Sequence, residues 1–275
     1  MTRRWSLIAV IVALAAALAF VIIDMSGDGS AGGENKSASG PKLSSPTPKT
    51  PPPGKKNPPA KGTGRDLKGV GWWTTDDKAG TVAADVVGKH DGVLKGNVTW
   101  SNAPHGGALQ FDGSTGYADT GAPVLDTVGK DYSVAAAVRL DADGFRTAVS
   151  LDGAQASVFF LQYVADQKRF SFSFSNARAM ADSLGVPQFG RWYHLVGTYG
   201  HEDKTLRIYV DGKLAGQASA PVNPEQPAGN LVIGRGKYQG NQVDFWPGGI
   251  GNVHVYDRAL TAPEIASLAA NEPSV

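Results

Sequence analysis

Apolar and polar residues alternate one for one through much of the chain after residue 95. Residues 169–175, Arg-Phe-Ser-Phe-Ser-Phe-Ser, are the clearest case. In an extended strand this order puts Phe170, Phe172 and Phe174 on one face and the serines on the other. Residues 133–140, 157–164, 192–199, 205–210 and 253–256 read the same way. Asp112-Gly113, Asp152-Gly153 and Asp211-Gly212 punctuate these runs. Asp211-Gly212, between Tyr209-Val210 and Lys213-Leu214, predicts a two-residue hairpin, because Asp-Gly accepts the positive φ of a tight primed turn. Many short strands at this spacing predict an all-β, antiparallel β-sandwich of the jelly-roll type.

Two segments break the alternation. Near the C-terminus, Thr261-Ala262-Pro263-Glu264 has the spacing of a capping box, and Ile265, Leu268 and Ala269 then share one helical face. A short helix packed on the sandwich is expected there. Near the N-terminus, residues 7–23 contain no polar side chain: eleven are Leu, Ile, Val or Phe and six are Ala. Such a run favours membrane insertion by about 5 kcal/mol and spans roughly 26 Å as a helix, near the lower limit for a bilayer. Arg3 and Arg4 precede it, and Asp24 and Asp28 follow. The positive-inside rule then places the N-terminus in the cytoplasm and the rest outside, as a single-pass membrane protein. The alternative is a cleaved signal peptide, cut near residues 17–19 or 29–31, which gives a secreted protein. Both readings export the body.

Residues 26–68 change character again. The first half is rich in Gly, Ser, Ala and Asn, and residues 41–59 hold eight prolines. Too few apolar groups are present to offset the entropy of ordering, so a disordered linker with an extended polyproline stretch is expected. At about 3.1 Å per residue it could reach roughly 130 Å. The chain therefore divides into residues 1–25 (short tail and transmembrane anchor), 26–68 (linker) and 69–275 (the sandwich).

The overall net charge of +1 hides an asymmetry. Residues 1–68 carry ten Lys/Arg and four Asp/Glu, and the remainder carries sixteen and twenty-one. A mildly acidic body excludes nucleic acid as the expected partner. The absence of cysteine excludes disulfides, thiolate metal sites and a cysteine nucleophile. Retaining glycosidases need two carboxylates about 5–5.5 Å apart, which on a strand means acids at alternating positions. Glu202, Glu225, Glu264 and Glu272, the glutamates of the body, lie in no such strand. Neither a Gly-x-Ser-x-Gly elbow nor a nucleotide-binding glycine loop is present, and the histidines lack zinc spacing. His194 and His254 alternate within strands and read as packed residues. The expectation is a protein that is not an enzyme.

Several stretches together resemble the laminin G-like, concanavalin A-like family in its bacterial secreted form. They are Ala84-Asp85-Val86-Val87-Gly88-Lys89-His90-Asp91-Gly92; Ala108-Leu109-Gln110-Phe111-Asp112-Gly113 with Tyr117; Arg191-Trp192-Tyr193-His194; the hairpin at 209–213; Leu231-Val232-Ile233-Gly234-Arg235; and Gly249 to Tyr256 followed by Asp257-Arg258-Ala259-Leu260. Their order covers about residues 71–270. The resemblance implies two facing sheets, one concave, and often a calcium ion. It points to Asp85, Asp257 and Asp91 as calcium ligands, with a backbone oxygen near His90. The plainer reading is that Asp85 and Asp257 cap turns.

Sugar-binding surfaces pair aromatic planes with a few fixed polar groups. Tyr238 and Trp246 flank the glycine- and asparagine-rich loop 236–243, and with Arg235, Asn241 and Gln242 they form the candidate ligand rim. An ordinary long loop is the alternative. Gln162, Tyr163, Ser171 and Ser173 are further candidates for a concave face, although serines on a strand more often form just a solvated face. Trp192 reads as core, and of adjacent Trp72 and Trp73 one should face in. The expected function is a non-catalytic, extracellular module, tethered to the membrane, that binds a carbohydrate or cell-wall polymer with calcium as a candidate cofactor. A protein-binding adhesion or scaffolding ectodomain is the second expectation.

Overall fold

A computed structural model describes residues 67–104, 106–223 and 225–271. The apolar run 7–23 and nearly all of the linker lie outside the described residues. Among the described residues no helix is long and apolar enough to cross a membrane. The strands follow in the order β1 (Gly71–Trp73), β2 (Val82–Ala83), β3 (Gly92–Lys95), β4 (Val98–Ala103), β5 (Gly106–Asp112), β6 (Tyr117–Asp119), β7 (Tyr132–Leu140), β8 (Arg146–Gly153) and β9 (Ser157–Val164). They continue as β10 (Arg169–Ser173), β11 (Arg178–Met180), β12 (Trp192–Gly200), β13 (Thr205–Val210), β14 (Lys213–Ser219), β15 (Pro227–Ile233), β16 (Gly236–Tyr238), β17 (Asn241–Val243) and β18 (Pro247–Tyr256), before helix α1 (Ala262–Asn271).

Two eight-stranded antiparallel sheets are formed. The first runs β14-β13-β12-β7-β18-β5-β4, with β1 also paired to β18. The second runs β11-β10-β9-β8-β15-β6-β3-β2. The alternation in the sequence explains how they meet. Phe170, Phe172 and Phe174 point from the second sheet into the shared core, as do Phe159 and Leu161 of β9. From the first sheet, Tyr132 lies 5.6 Å from Phe159 and 6.2 Å from Phe172, Tyr193 lies 5.3 Å from Phe170, and Tyr199 lies 5.1 Å from Phe174. These tilted and edge-on pairs form an aromatic seam between the sheets, each contact adding about 0.5–1.5 kcal/mol to plain burial. Gly197 of β12 makes the slot for Phe172: a Cβ there would lie 2.2 Å from that ring.

The hairpin read at 209–214 is present. Val210 pairs with Lys213, and Asp211 and Gly212 take φ values of 50° and 78°. Trp73 is buried in the core while Trp72 is half-buried and stacks on His254 at 4.9 Å. His194 and His254 are buried, as expected of packed histidines. One expectation needs correction. Ser171 and Ser173 are wholly buried, their hydroxyls 2.7 Å apart, so they are neither solvated nor available to a ligand. Trp192 is buried, as expected: Arg139 lies over its ring at 5.6 Å, and a Cβ on Gly249 would lie 2.5 Å from the ring.

Helix α1 covers a second, smaller core. Ile265 and Leu268 meet Ala135, Val196, Tyr209, Tyr256 and Leu260. At its start the backbone N–H of Thr261 donates to Glu264 Oε2 at 2.8 Å, the carboxylate arm of a capping box. Arg258 grips the same carboxylate with both Nη atoms, at 2.9 and 2.8 Å. The Arg258 hydrogen bonds, outweighing burial, lower the Glu264 pKa to about 2. This contribution to stability is complete above the ordinary glutamate range and is lost as pH falls from about 4.5 through about 2. Glu264→Gln should lower stability by about 1 kcal/mol at neutral pH. In thermal melts, the gap between variant and wild type should close as pH falls to 2. A gap that stays constant with pH would show that the carboxylate charge contributes nothing.

Candidate functional site

The segment read as a loop at 236–243 is a hairpin. Gly236 pairs with Val243 and Tyr238 with Asn241, leaving Gln239-Gly240 as a two-residue turn with φ values of 50° and 76°. It lies on the face of β8 and β9 turned away from the core, with Gly236 against Phe160 and Thr147, where a Cβ would meet both at 3.0 Å. Ser157 Oγ accepts from the Lys237 N–H at 2.9 Å, and the Lys237 ammonium donates to the Gly153 carbonyl at 2.9 Å.

The residue that pins this hairpin is Arg235. Its guanidinium forks onto the Asp152 carboxylate at 2.8 and 2.9 Å and lies 4.9 Å over the Tyr117 ring. The side chain is almost wholly buried. Arg235 was expected at the ligand rim; it is buried with both Nη groups on Asp152, so it builds the site rather than meeting a ligand. Trp246, expected beside it, is also withdrawn. Its ring is 0% exposed and its Nε1 donates to the Arg139 carbonyl at 3.1 Å. Of the expected rim, Tyr238, Asn241 and Gln242 are exposed. The Gln242 side chain reaches toward the Tyr117 hydroxyl at 3.4 Å.

Beside Tyr238 the hairpin and the second sheet enclose a groove of about 330 Å³. Tyr238, 52% exposed, and Phe145, 39% exposed, supply accessible rings. Gln162, Ser175, Arg178 and Asp244 supply polar groups, and Phe160, Phe174 and Val243 complete the lining. Gln162 was anticipated on such a face. Tyr163, named with it, instead points into the inter-sheet core. Phe145, Arg178 and Asp244 were missed. Phe145 follows Gly144 where the sequence reads as a turn, and Arg178 sits on a three-residue edge strand.

Asp244 is half-buried with φ 56°, a conformation that costs a non-glycine residue energy. Its carbonyl accepts from Thr147 N–H at 2.8 Å, which ties this backbone to β8. Burial pushes its carboxyl pKa up, against the opposing pull of Arg146 and Arg178. Arg146 stays in place because its guanidinium donates to the carbonyls of Asp143, Gly113 and Phe245. A second groove of about 290 Å³ is lined by Tyr199, His201, Lys204 and Asn223 among others. Its Tyr199 ring is buried, so it offers no comparable aromatic plane.

Residues 112–266 match the family model described as the concanavalin A-like lectin/glucanases superfamily. The chain belongs to that superfamily. Among solved structures, this superfamily member resembles domain 4 of AbnA, an extracellular GH43 arabinanase from Geobacillus stearothermophilus in complex with arabinotriose. The TM-score is 0.58 at 15% identity, covering 74% of this chain and 98% of that one. It also resembles the Trypanosoma rangeli sialidase in complex with sialic acid, with a TM-score of 0.56 at 20% identity over 74% of this chain and 32% of that one. At these identities the likeness is one of fold. Over 88 residues the chain is 31% identical to human neuronal pentraxin-1, covering 29% of this chain and 20% of that protein. It thus spans about a fifth of the length of the curated relative it matches.

The residues expected to bind calcium fall in two places. Asp85 Oδ1 accepts from the N–H groups of Trp72, Val87 and Gly88 at 2.9–3.0 Å, and Oδ2 from that of His90 at 3.1 Å. Asp91 Oδ1 accepts from the Asp85 N–H at 2.9 Å, and the His90 carbonyl accepts from Trp73 Nε1 at 2.9 Å. Asp257 is exposed after β18 and interacts electrostatically with Lys130 and Arg258. Among the described residues no group of three or more His, Cys, Asp or Glu could hold a metal ion. Four amides thus satisfy the Asp85 carboxylate and close the 85–91 loop. Asp85→Ala should cost about 2–4 kcal/mol in denaturant unfolding, because it orphans these donors. If calcium is held by these carboxylates it should raise the wild-type melting temperature, and an unchanged melting temperature would rule it out. A rise of several degrees with calcium, reversed by chelator, would show that a metal also holds the fold.

Proposed function

We propose that this chain is a non-catalytic binding module that takes a saccharide in the groove beside Tyr238. The observation that carries the reading is the groove itself. Two accessible aromatic rings, Tyr238 and Phe145, stand beside Gln162, Arg178 and Asp244 in one groove. The C–H face of a sugar ring packs on an aromatic plane, and fixed polar groups read its hydroxyls. Membership of the lectin/glucanase superfamily and the likeness to an arabinotriose-bound domain support the same chemistry. Asp244 is the single carboxylate in the groove lining, whereas glycoside hydrolysis ordinarily calls for a pair.

A protein ligand is the second reading. Val82 and Val93 are cross-strand partners on the β2–β3 edge, and with Val86 and Val87 they are exposed, as an apolar contact patch would be. The reading also places the module outside the cell, held by residues 7–23 and spaced from the membrane by the proline-rich linker.

The test is a panel of oligosaccharides and cell-wall polymers presented to the protein in calcium and in chelator. Saturable binding is expected, weakened roughly tenfold by Tyr238→Ala through loss of one stacking contact. Unchanged binding in that variant would move the site elsewhere. No binding to any polymer would favour the protein ligand.

A further inference from the structure

We infer that Asp244 is the groove's principal hydrogen-bond acceptor, and that the ligand is a neutral saccharide presenting two adjacent free hydroxyls. This rests on the reading of the groove as a saccharide site and specifies what that site selects.

The inference begins with how Asp244 is held. Its backbone is tied to β8 by the Thr147 N–H, which fixes where its side chain starts. Arg146 stands behind it, with its guanidinium taken by three backbone carbonyls. Arg178 is exposed on the edge strand and acts on Asp244 through space. Among the described residues no hydrogen bond to either Asp244 carboxylate oxygen is found. This is the opposite of Asp85, whose oxygens take four backbone N–H groups, and of Asp112, whose oxygens are held by Ser114, Thr115 and Gly116. A half-buried carboxylate without fixed donors is costly, and the cost falls when a ligand brings donors to it.

Two adjacent hydroxyls on a sugar ring offer two O–H groups side by side, which matches the two oxygens of one carboxylate. Hydrogen bonds to an ionised acceptor are about twice as strong as neutral ones. Tyr238 can then carry the apolar face of the same ring, and the Gln162 amide, lining the same groove, offers both a donor and an acceptor. A ligand carrying its own carboxylate is disfavoured. It would bring a like charge against a desolvated one; of the two nearby cations, Arg146 is engaged with three backbone carbonyls and Arg178 is exposed and screened.

Calorimetric titration of the full-length chain with arabinotriose, and with a set of other neutral oligosaccharides, tests this. Each ligand is paired with its fully O-methylated form, which keeps the apolar face and removes the donors. Asp244→Asn preserves shape, and a melting curve verifies that it folds. The expected result is at least tenfold weaker binding in Asp244→Asn and loss of binding on O-methylation. Retained affinity in Asp244→Asn, with affinity lost in Tyr238→Ala, would overturn the assignment while leaving the groove a saccharide site. Equal affinity for the methylated ligand would overturn it too. So would a preference for a uronic acid oligomer that Arg178→Gln removes. If no saccharide binds the wild type, the reading of the groove fails along with the inference.

Discussion

The second sheet has to be covered on both faces, and one buried ion pair fixes how. Its inner face is closed by the aromatic seam against the first sheet, an outcome of simple alternation. Its outer face at β8 and β9 is closed by the β16–β17 hairpin, which is anchored through Arg235 on Asp152. All eight residues of β9 are buried as a result. Such a pair contributes little net stability when compared with apolar substitutes, but removing one partner strands a charge at a cost of about 3–5 kcal/mol. Its physical effect here is positional. With Arg235 committed, the hairpin has one place to lie, and the groove beside Tyr238 exists because the hairpin stands off the sheet at that edge.

The polar contents of the groove follow from the same anchoring. Arg146 crosses from β8 to hold the carbonyls of Gly113, Asp143 and Phe245 together, and the chain leaving the hairpin passes Asp244 through a left-handed conformation beside it. The half-buried carboxylate is therefore placed by its surroundings and not by its own hydrogen bonds. The contrast with Asp85 is one of local economy. There, a tight loop wraps its own amides round the carboxylate, and the loop is complete without outside help.

What the sequence disclosed follows from what is local. Period-two runs such as 169–175, the Asp211-Gly212 turn and the Thr261–Glu264 box are each decided by neighbouring residues, and the fold class was legible from them. The identity of Tyr238 as an exposed ring was legible for the same reason, because it flanks a Gly-rich turn. The errors at Arg235, Trp246, Ser171 and Ser173 share a cause. Each residue looks exposed in sequence, since it is polar or sits beside a loop, yet is buried in the fold; Arg235 is held by Asp152, which lies far from it along the chain. Asp244, Phe145 and Arg178 were missed because three separate elements bring them together, and no spacing in one chain segment records that meeting.

A saccharide-binding surface built on a covered sheet should respond to its ligand locally. The most direct measurement is amide hydrogen exchange of the full-length chain with and without its tightest-binding saccharide. Slowed exchange is expected across residues 236–244 and at the facing positions 145–147 and 175–178. Protection at the second groove, around residues 127–129 and 199–204, with none at the hairpin, would contradict the account.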